Sequence, residues 1–245
     1  MTWTTEATPL GRIVVPPAVP EGYALFYTTA DFAGRLSPEV AALLKATVRE
    51  HFAIEATLTT CTQVHGAAVR RAAREPEWRE CDACDALWAS GTGSALGIKV
   101  ADCLPVTMID STHEVIVNIH SGWRGALQNI TAETLAAVCR DSAFSPQRAI
   151  AWLGPSIRVC CFEVGEEVVG EFAARFPSFE RFVDRRRGKP HIDLAALTAD
   201  ALQLAGLDPS RIHDSNLCTR CDGSIFHSYR RDRDAGGRNL AVVAH

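Results

Sequence analysis

Two histidines and one cysteine stand where apolar, strand-like runs break off, and side chains of these types bind metals or act as nucleophiles. His65 occurs in CTQVHGAAV, Cys103 in KVADCLPV and His120 in VNIHSGWRG. Each is followed within two residues by a glycine or a proline, which ends the regular pattern. Because the ends of strands hold side chains rigidly, we expect these three residues to form one site.

Two kinds of chemistry are open to this set of residues. As a metal site, two imidazoles and a thiolate supply three ligands for Zn²⁺ and leave a fourth position for water, which is typical of catalytic zinc. As a metal-free site, Cys103 becomes a thiolate nucleophile that a neighbouring imidazole activates. The spacing in the sequence does not separate these alternatives.

The rest of the chain alternates strand and helix patterns. Runs of β-branched and aliphatic residues predict strands over 58–64, 97–101, 104–109, 115–119, 149–153 and 240–243. Helical spacing predicts a helix from Pro38 with Ser37 as its cap, another after Gly125, and two more over 165–176 and 193–205. With no evident linker, we expect one α/β or α+β domain over residues 1–245.

Composition excludes several classes of function. The chain has 245 residues and a net charge of −4, without a lysine-rich run, which argues against nucleic acid as a partner. The apolar runs are far shorter than the roughly 20 residues of a membrane helix, and the N-terminus lacks the pattern of a signal peptide. We therefore expect a cytoplasmic protein without a membrane partner. Nine cysteines without a secretion signal favour free thiols or metal ligands over disulfides.

A series of motifs resembles one known family. TQVHG, DALWASGTGSALGIKVADCLPV, NIHSGWRGALQNI, LGPSIRVCCFEVGEEV, LCTRCDGSIFHSYRRD and GGRNLAVV follow one another from about Cys61 to His245. Together they are similar to the laccase-domain, YfiH-like family, whose members are also called multicopper polyphenol oxidase, purine nucleoside phosphorylase or peptidoglycan editing factor. The resemblance implies an α+β fold with α/β/β/α layers, mixed sheets flanked by helices and a cysteine-hydrolase-like arrangement. It also implies that His65, Cys103 and His120 bind a metal, usually zinc.

The same resemblance implies a purine nucleoside enzyme that cleaves adenosine, inosine and methylthioadenosine with phosphate and also deaminates adenosine. Zinc-bound water would serve the deamination. For phosphorolysis, a guanidinium offers a planar fork of donors to phosphate or ribose. The candidate residues are Arg124 with Arg230 or Arg231 as phosphate or ribose ligands, Gln63 and Trp123 as further substrate contacts, and Cys103, His120, Asp85 and Asp102 as catalytic groups. Either aspartate could instead orient a ligand histidine, and Asp102 could simply cap a turn.

Three other interpretations stay open. A metal-free cysteine hydrolase or amidase would edit peptidoglycan precursors with Cys103 as nucleophile and His120 as base. A non-catalytic binding or redox-responsive protein would depend on its cysteines more than on this site. A copper-binding polyphenol oxidase is disfavoured, because none of the eight histidines forms the His-X-His pairs of a multicopper centre, although a single copper ion at the three residues is compatible with them.

Two features depart from the resemblance or extend it. In FYTTADFAGRLSPEV, Ala30 stands where the resemblance implies an arginine of the substrate pocket, and Arg12 or Arg35 could replace it in space. Two Cys-X-X-Cys pairs, Cys81 with Cys84 and Cys218 with Cys221, would form a four-cysteine zinc site if the fold brought them together. For the adjacent Cys160 and Cys161, we expect a packing role.

Overall fold

The computed structural model describes residues 2–32, 36–75 and 77–245. Its strands are β1 (Thr4–Thr8), β2 (Gly11–Val15), β3 (Ala24–Thr28), β4 (Thr57–Cys61), β5 (Val69–Arg71), β6 (Arg79–Cys81), β7 (Ala86–Ser90), β8 (Ser94–Val100), β9 (Leu104–Asp110), β10 (Val115–Ser121), β11 (Ile150–Leu153), β12 (Val183–Asp184), β13 (His191–Ile192), β14 (Ile212–Asp214) and β15 (Asn239–Ala244). Its α-helices are α1 (Pro38–Phe52), α2 (Trp123–Leu127), α3 (Ile130–Asp141), α4 (Glu166–Arg175), α5 (Leu194–Leu204) and α6 (Tyr229–Asp232).

Most of the strands belong to two mixed sheets. The first sheet has seven strands in the order β1-β2-β3-β15-β8-β4-β6, and the second has six in the order β14-β11-β9-β10-β7-β5. Strand β4 runs parallel to both of its neighbours, and the pairs β5–β7 and β11–β14 are also parallel, whereas the other pairs of these two sheets are antiparallel. Strands β12 and β13 form a small separate hairpin.

The two sheets pack face to face, with helices on their outer faces. The central core includes Leu96, Ile98, Ala241 and Val243 from the first sheet and Leu87, Ile109, Ile116 and Trp152 from the second. Helix α1 covers the outside of the first sheet, and α3 and α5 cover the outside of the second. This four-layer arrangement confirms the predicted α+β class. Because both faces of β9 and β10 are buried, these strands are apolar almost without alternation.

A buried asparagine bridges the two sheets. Asn118 of β10 donates its amide to the carbonyls of Leu96 (3.1 Å) and Ala241 (3.0 Å) in the first sheet, and it accepts from Thr107 in its own sheet. A polar group without such partners would be costly in this core. These bonds therefore fix the relative position of the two sheets, between which the candidate site lies.

The predicted elements agree with the structure in place and type, with three corrections. Strand β4 ends at Cys61 and not at Val64, so His65 lies in a loop. The helix predicted after Gly125 is two helices, because Asn129 adopts a left-handed conformation (φ 59°) between α2 and α3. The helical spacing predicts one apolar face on α1 with Val40, Leu43, Leu44, Thr47 and Val48. The helix is capped by Ser37 as predicted, but Leu43 is 37% exposed. In the described ranges, no helix combines the length and apolar character needed to cross a membrane.

Candidate metal centre

Strand pairing places Cys103 beside the end of β10. Strands β9 and β10 are antiparallel, with His120 opposite Pro105 and Ser121 opposite Leu104, so that the next positions are Cys103 and Gly122. Cys103 belongs to the short turn by which the chain crosses from β8 in one sheet to β9 in the other. Asp102 in this turn has a φ of 83°, a left-handed conformation that reverses the chain sharply.

His65 completes the set from the loop after β4. Its backbone is left-handed as well, with a φ of 60°. The imidazole rings of His65 and His120 lie 4.9 Å apart at an angle of 78°. The potential ligand atoms of His65, Cys103 and His120, which we call the triad, all lie within 4.8 Å of one another. The structure therefore brings together the three residues that the sequence singles out.

Asp85 holds both histidines of the triad in place. It directly precedes β7, whose pairing with β10 puts it beside His120, and its Oδ1 lies 2.7 Å from His120 Nδ1. The same carboxylate accepts hydrogen bonds from the backbone N–H groups of Val64 (3.2 Å), His65 (3.0 Å) and Gly66 (2.8 Å). Asp85 is fully buried. One carboxylate thus orients the His120 ring and fixes the loop that carries His65, as the supporting carboxylate of a metal-bound histidine does.

The space around the triad fits a metal ion. A Cβ atom at Gly122 would lie 3.0 Å from the sulfur of Cys103 and 3.2 Å from the His65 ring, so glycine leaves free the room next to the three donors. Two imidazoles and a thiolate are a donor set for zinc and also for copper. All three residues also line the cleft described below.

The triad is electrostatically coupled. Burial alone would raise the pKa of the Cys103 thiol, but hydrogen bonds with His120 and His65 lower it to about 7. Burial lowers the pKa of His120, whereas its hydrogen bonds with Asp85 and Cys103 raise it to about 9. Between these values, the metal-free protein holds a thiolate beside an imidazolium. A deprotonated thiol is the form that binds a metal or attacks an electrophile.

A cleft of about 540 Å³ opens at the triad. Its volume lies in the range that holds a drug-sized or nucleoside-sized ligand. Besides the triad, the lining residues are Thr62, Gln63, Lys99, Ala101, Tyr229 and Arg238. Tyr229 is 44% exposed and Arg238 is exposed as well, so both side chains are available to a ligand.

The sequence match decides the family. Residues 37–245 match the family model described as multi-copper polyphenol oxidoreductase laccase. The chain belongs to this laccase family. The assignment confirms the resemblance that the motifs carry, and the match covers every residue of the triad, Asp85 and the cleft lining.

Two named relatives of this laccase family member carry the names of purine nucleoside enzymes. The purine nucleoside phosphorylase of Xylella fastidiosa strain 9a5c is 36% identical over 182 residues, which are 71% of this chain and 67% of that protein. Adenosine deaminase RL5, from an unknown prokaryotic organism, is 37% identical over 161 residues. That alignment covers 65% of this chain and 61% of RL5, so the chain matches about three fifths of that relative's length.

A solved structure shares the fold. The crystal structure of YlmD from Geobacillus stearothermophilus aligns with a TM-score of 0.84 at 24% identity, covering 99% of this chain and 98% of that one. At this identity the likeness extends to the fold of this laccase family member and carries no statement about its substrate.

The other residues singled out from the sequence lie at varying distances from the cleft. Gln63 lines it, but its side-chain amide is paired with the backbone of Lys99, donating to the carbonyl (2.7 Å) and accepting from the N–H (2.8 Å). The carboxylate of Asp102 accepts from Thr219 Oγ1 (2.6 Å) and from the N–H of Arg230 (2.6 Å), which ties the C-terminal segment to the turn before Cys103. A catalytic role for Asp102 stays a prediction.

The predicted arginines and tryptophan are outside the cleft lining. The Arg124 guanidinium stacks on Trp123, 4.4 Å from the ring, and that tryptophan packs against the core beside α4. Arg230 donates to the carbonyl of Glu163 (3.1 Å), and Arg231 donates to the backbone carbonyls of a neighbouring loop and to Asp232. Their roles in binding phosphate stay predictions.

Sequence reasoning missed Lys99, Tyr229 and Arg238 as cleft residues. Lys99 lies in IKVADC, Tyr229 in HSYRRD and Arg238 in GGRNLAVV. Their places in these motifs were the signal from which a role at the site could have been inferred. Near the N-terminus, Arg12 is paired with Asp31 (2.7 Å) and does not line the cleft, whereas Arg35 lies outside the described residues. Among the residues that the structure describes, the arginine that lines the cleft is Arg238.

The fold does not bring the two Cys-X-X-Cys pairs together, so the condition for a site made of both pairs is not met. Cys84 packs with Cys61 in the central core, because Cys61 ends β4 and the N–H of Cys84 donates to the carbonyl of Thr62 (3.2 Å). Cys218 and Cys221 instead gather with Cys160 and Cys161. The Cys-X-X-Cys spacing indicates a shared site but carries no information about which distant pair completes it.

The low pKa of Cys103 predicts its chemical reactivity. In protein stripped of metal, alkylation of Cys103 by iodoacetamide is expected to be half-maximal near pH 7 and to fall at lower pH, because only the thiolate reacts. Mass spectrometry of the Cys103 peptide across a pH series measures this. Cys139 is the internal control: it is exposed, and partial burial raises its pKa, so its alkylation should require higher pH. Reaction of Cys103 only above about pH 8.5, as for a free thiol, would contradict the coupling.

Proposed function

We propose that this protein is a zinc-dependent purine nucleoside enzyme that cleaves adenosine, inosine and methylthioadenosine with phosphate and deaminates adenosine. The carrying observation is the triad of two histidines and one cysteine at the wall of a cleft of about 540 Å³, with open space toward the cleft. The names of two relatives, a purine nucleoside phosphorylase at 36% identity and an adenosine deaminase at 37% identity, support this choice of substrate.

His65, Cys103 and His120 would hold the metal. When bound by three protein ligands, zinc acts as a Lewis acid and lowers the pKa of a coordinated water to near neutrality, which suits attack on a purine ring. Asp85 holds Nδ1 of His120, which leaves Nε2 of that ring as the nitrogen that would give up its proton to bind the metal. Burial raises the pKa of Asp85, but hydrogen bonds from His120 and the Gly66 N–H outweigh burial and lower it, which keeps the carboxylate ionised.

The cleft wall supplies groups for phosphate and nucleoside. Arg238 is exposed, and its guanidinium makes a hydrogen bond of 2.9 Å to the carbonyl of Gly237, which leaves donors for a phosphate or a ribose hydroxyl. Lys99 is paired with Glu80 (2.8 Å), so it contributes less net charge to the cleft than Arg238 does. Tyr229 presents an aromatic face on which a purine would stack.

Replacing Arg238 with alanine is expected to raise the KM for phosphate about 10- to 100-fold with a smaller effect on kcat. A hydrogen bond to a charged group contributes about 1.5–3 kcal/mol, which corresponds to that ratio. The measurement is initial-rate kinetics of phosphorolysis at varied phosphate. Arg124→Ala is the matched control, since Arg124 lies at the sequence-predicted anion site but outside the cleft lining. A larger effect of Arg124→Ala than of Arg238→Ala would restore the sequence-based assignment.

The test of the proposed function is product analysis. Zinc-loaded protein is incubated with adenosine, with and without phosphate, and the products are separated by chromatography. Adenine that forms only with phosphate indicates phosphorolysis, and inosine that forms without phosphate indicates deamination. If neither adenine, inosine nor hypoxanthine forms after prolonged incubation, the proposal is excluded.

A second candidate is a metal-free cysteine hydrolase acting on cell-wall precursors. One observation favours it. Cys103, whose pKa is about 7, lies beside His120, and His120 is in turn bonded to Asp85. The three residues are thus arranged as nucleophile, base and orienting acid. Full hydrolysis of a peptidoglycan precursor after treatment with chelator, together with a covalent acyl adduct on Cys103, would support this candidate. Loss of that activity with the metal would reject it.

A further inference from the structure

A second group of potential metal ligands lies apart from the triad. The group, which we call the cysteine cluster, consists of Cys160, Cys161, Cys218 and Cys221. Its first pair lies in the segment between β11 and α4, and its second pair lies between β14 and α6. The four sulfur atoms all lie within 4.8 Å of one another. The fold thus assembles four thiols from two segments that are distant in the sequence.

The size of the cluster matches a tetrahedral metal site. Four sulfur ligands at about 2.3 Å from a tetrahedral zinc ion are about 3.8 Å from each other. The sulfur of Cys221 lies 3.7 Å from that of Cys160 and 3.3 Å from that of Cys161. A disulfide, in contrast, needs about 2.05 Å and would use only two of the four sulfurs. We propose that the cysteine cluster binds one structural Zn²⁺ ion through four thiolates.

Donors and positive charge surround the cluster. The N–H of Asp222 donates to the carbonyl of Cys218 (2.9 Å), which closes the turn that carries Cys218 and Cys221, and Arg187 donates to the carbonyl of Cys160. Arg220 stands between Cys218 and Cys221 in the chain and adds positive charge beside the cluster. A zinc ion with four thiolates carries a net charge of about −2, which such donors and cations offset.

The burial of the four cysteines also suits a structural metal ion. Cys161 and Cys218 are buried and Cys160 is partly buried, so that thiolates at these positions need a counter-charge within the protein. Cys221 is exposed, which gives a metal ion a path into the site. Four protein ligands leave no position for water, so the site would be closed and structural, unlike the open triad.

The ion would connect two segments that support the triad. Thr219, between the two cysteines of the Cys-X-X-Cys pair, donates from its hydroxyl to Asp102 (2.6 Å), the neighbour of Cys103. Its N–H donates to the carbonyl of Ser156 (3.0 Å), next to the segment of Cys160. A zinc ion in the cysteine cluster would therefore hold the C-terminal segment against the turn that carries Cys103.

The deciding experiment uses the double variant His65→Ala/His120→Ala, in which the triad is removed and all four cysteines remain. The full-length protein is loaded with zinc, freed of loosely bound ions by gel filtration and analysed by elemental mass spectrometry and zinc X-ray absorption. One zinc ion per chain, surrounded by sulfur ligands only at about 2.3 Å, is expected. Absence of zinc from this variant, or a mass lower by two hydrogens that reports a disulfide within the cluster, would overturn the proposal.

A second pair of variants assigns the ion to the cluster. In the background that lacks the triad, Cys221→Ser is expected to lower the bound zinc from about one ion per chain to a small fraction of that, whereas Cys139→Ser is expected to leave it unchanged. Cys139 is also an exposed cysteine but lies on α3, outside the cluster. Unchanged zinc content in Cys221→Ser would overturn the assignment. Neither readout uses nucleoside turnover, so this result is independent of the proposed function.

Discussion

Replacing His65 with asparagine is expected to lower kcat/KM for adenosine phosphorolysis about 10³-fold while the protein stays folded. His65 is exposed and its side chain belongs to the triad, whereas its backbone has a φ of 60°. Asparagine tolerates this left-handed conformation better than most residues do, so the loop should keep its shape. A bound Lewis acid lowers the activation barrier by several kcal/mol. The activity falls because the two remaining ligands, Cys103 and His120, do not retain the metal ion.

The same variant separates the two candidate functions. Cys103, His120 and Asp85 form the nucleophile, base and orienting acid of a metal-free hydrolase, and none of these three side chains is changed. Because His65 also helps to lower the pKa of Cys103, a hydrolase would keep its activity in His65→Asn but reach it at higher pH. A metal enzyme would instead lose its activity at every pH, together with its triad metal. Steady-state kinetics and the metal content of the same preparation measure both effects. Val64→Ala is the control, because Val64 is 52% exposed in the same loop and offers no ligand.

The sequence predicts the triad well because each of its residues interrupts an apolar run. The strands that bring Cys103 and His120 together, β9 and β10, are continuous in the sequence and long enough to be recognised. Their pairing then follows from an antiparallel connection of four residues between Asp110 and Val115. This combination of local pattern and short connection explains why the central part of the fold and of the site could be predicted.

Other parts depend on contacts between distant residues and could not be predicted from the pattern. Strands β1 to β3 are short, and β1 is mostly exposed, so they have a weak periodic signal and are stabilised by pairing with each other and with β15. Cys218 and Cys221 lie beside Cys160 and Cys161 because the segment after β11 packs against them in the folded chain. Arg238, which lines the cleft, directly precedes β15, and it is the pairing of β15 between β3 and β8 that brings it there.

Asp85 shows how one residue can escape assignment from sequence alone. The sequence offers it as an acid, a base or an orienting group, and nothing near it in the chain separates these roles. In the structure its two oxygens accept hydrogen bonds from three backbone N–H groups and from the His120 ring, and the side chain is fully buried. A carboxylate with this set of partners is positioned to orient the triad and is poorly placed to exchange protons with a substrate.

Replacing Asp85 with asparagine is expected to lower the stability of the metal-free protein by about 3 kcal/mol and to weaken triad metal binding about 10- to 100-fold. An amide has only one acceptor oxygen. Its NH₂ group is a donor and would face another donor, either a backbone N–H or the His120 ring, which now donates to the second carboxylate oxygen. For a chain of this length, 3 kcal/mol corresponds to a fall in Tm of roughly 10 °C. Calorimetry and zinc competition titration measure the two effects.

Asp110→Asn distinguishes positioning of the triad from general loss of stability. Asp110 is also fully buried, and it accepts from the backbone N–H groups of Thr112 (3.1 Å) and Ser145 (2.8 Å) while pairing with His113 (2.8 Å). It lies at the far end of β9 from Cys103, so its loss should lower Tm to a similar degree without changing triad zinc affinity in the folded protein. Equal weakening of zinc binding in both variants would mean that Asp85 acts through stability alone.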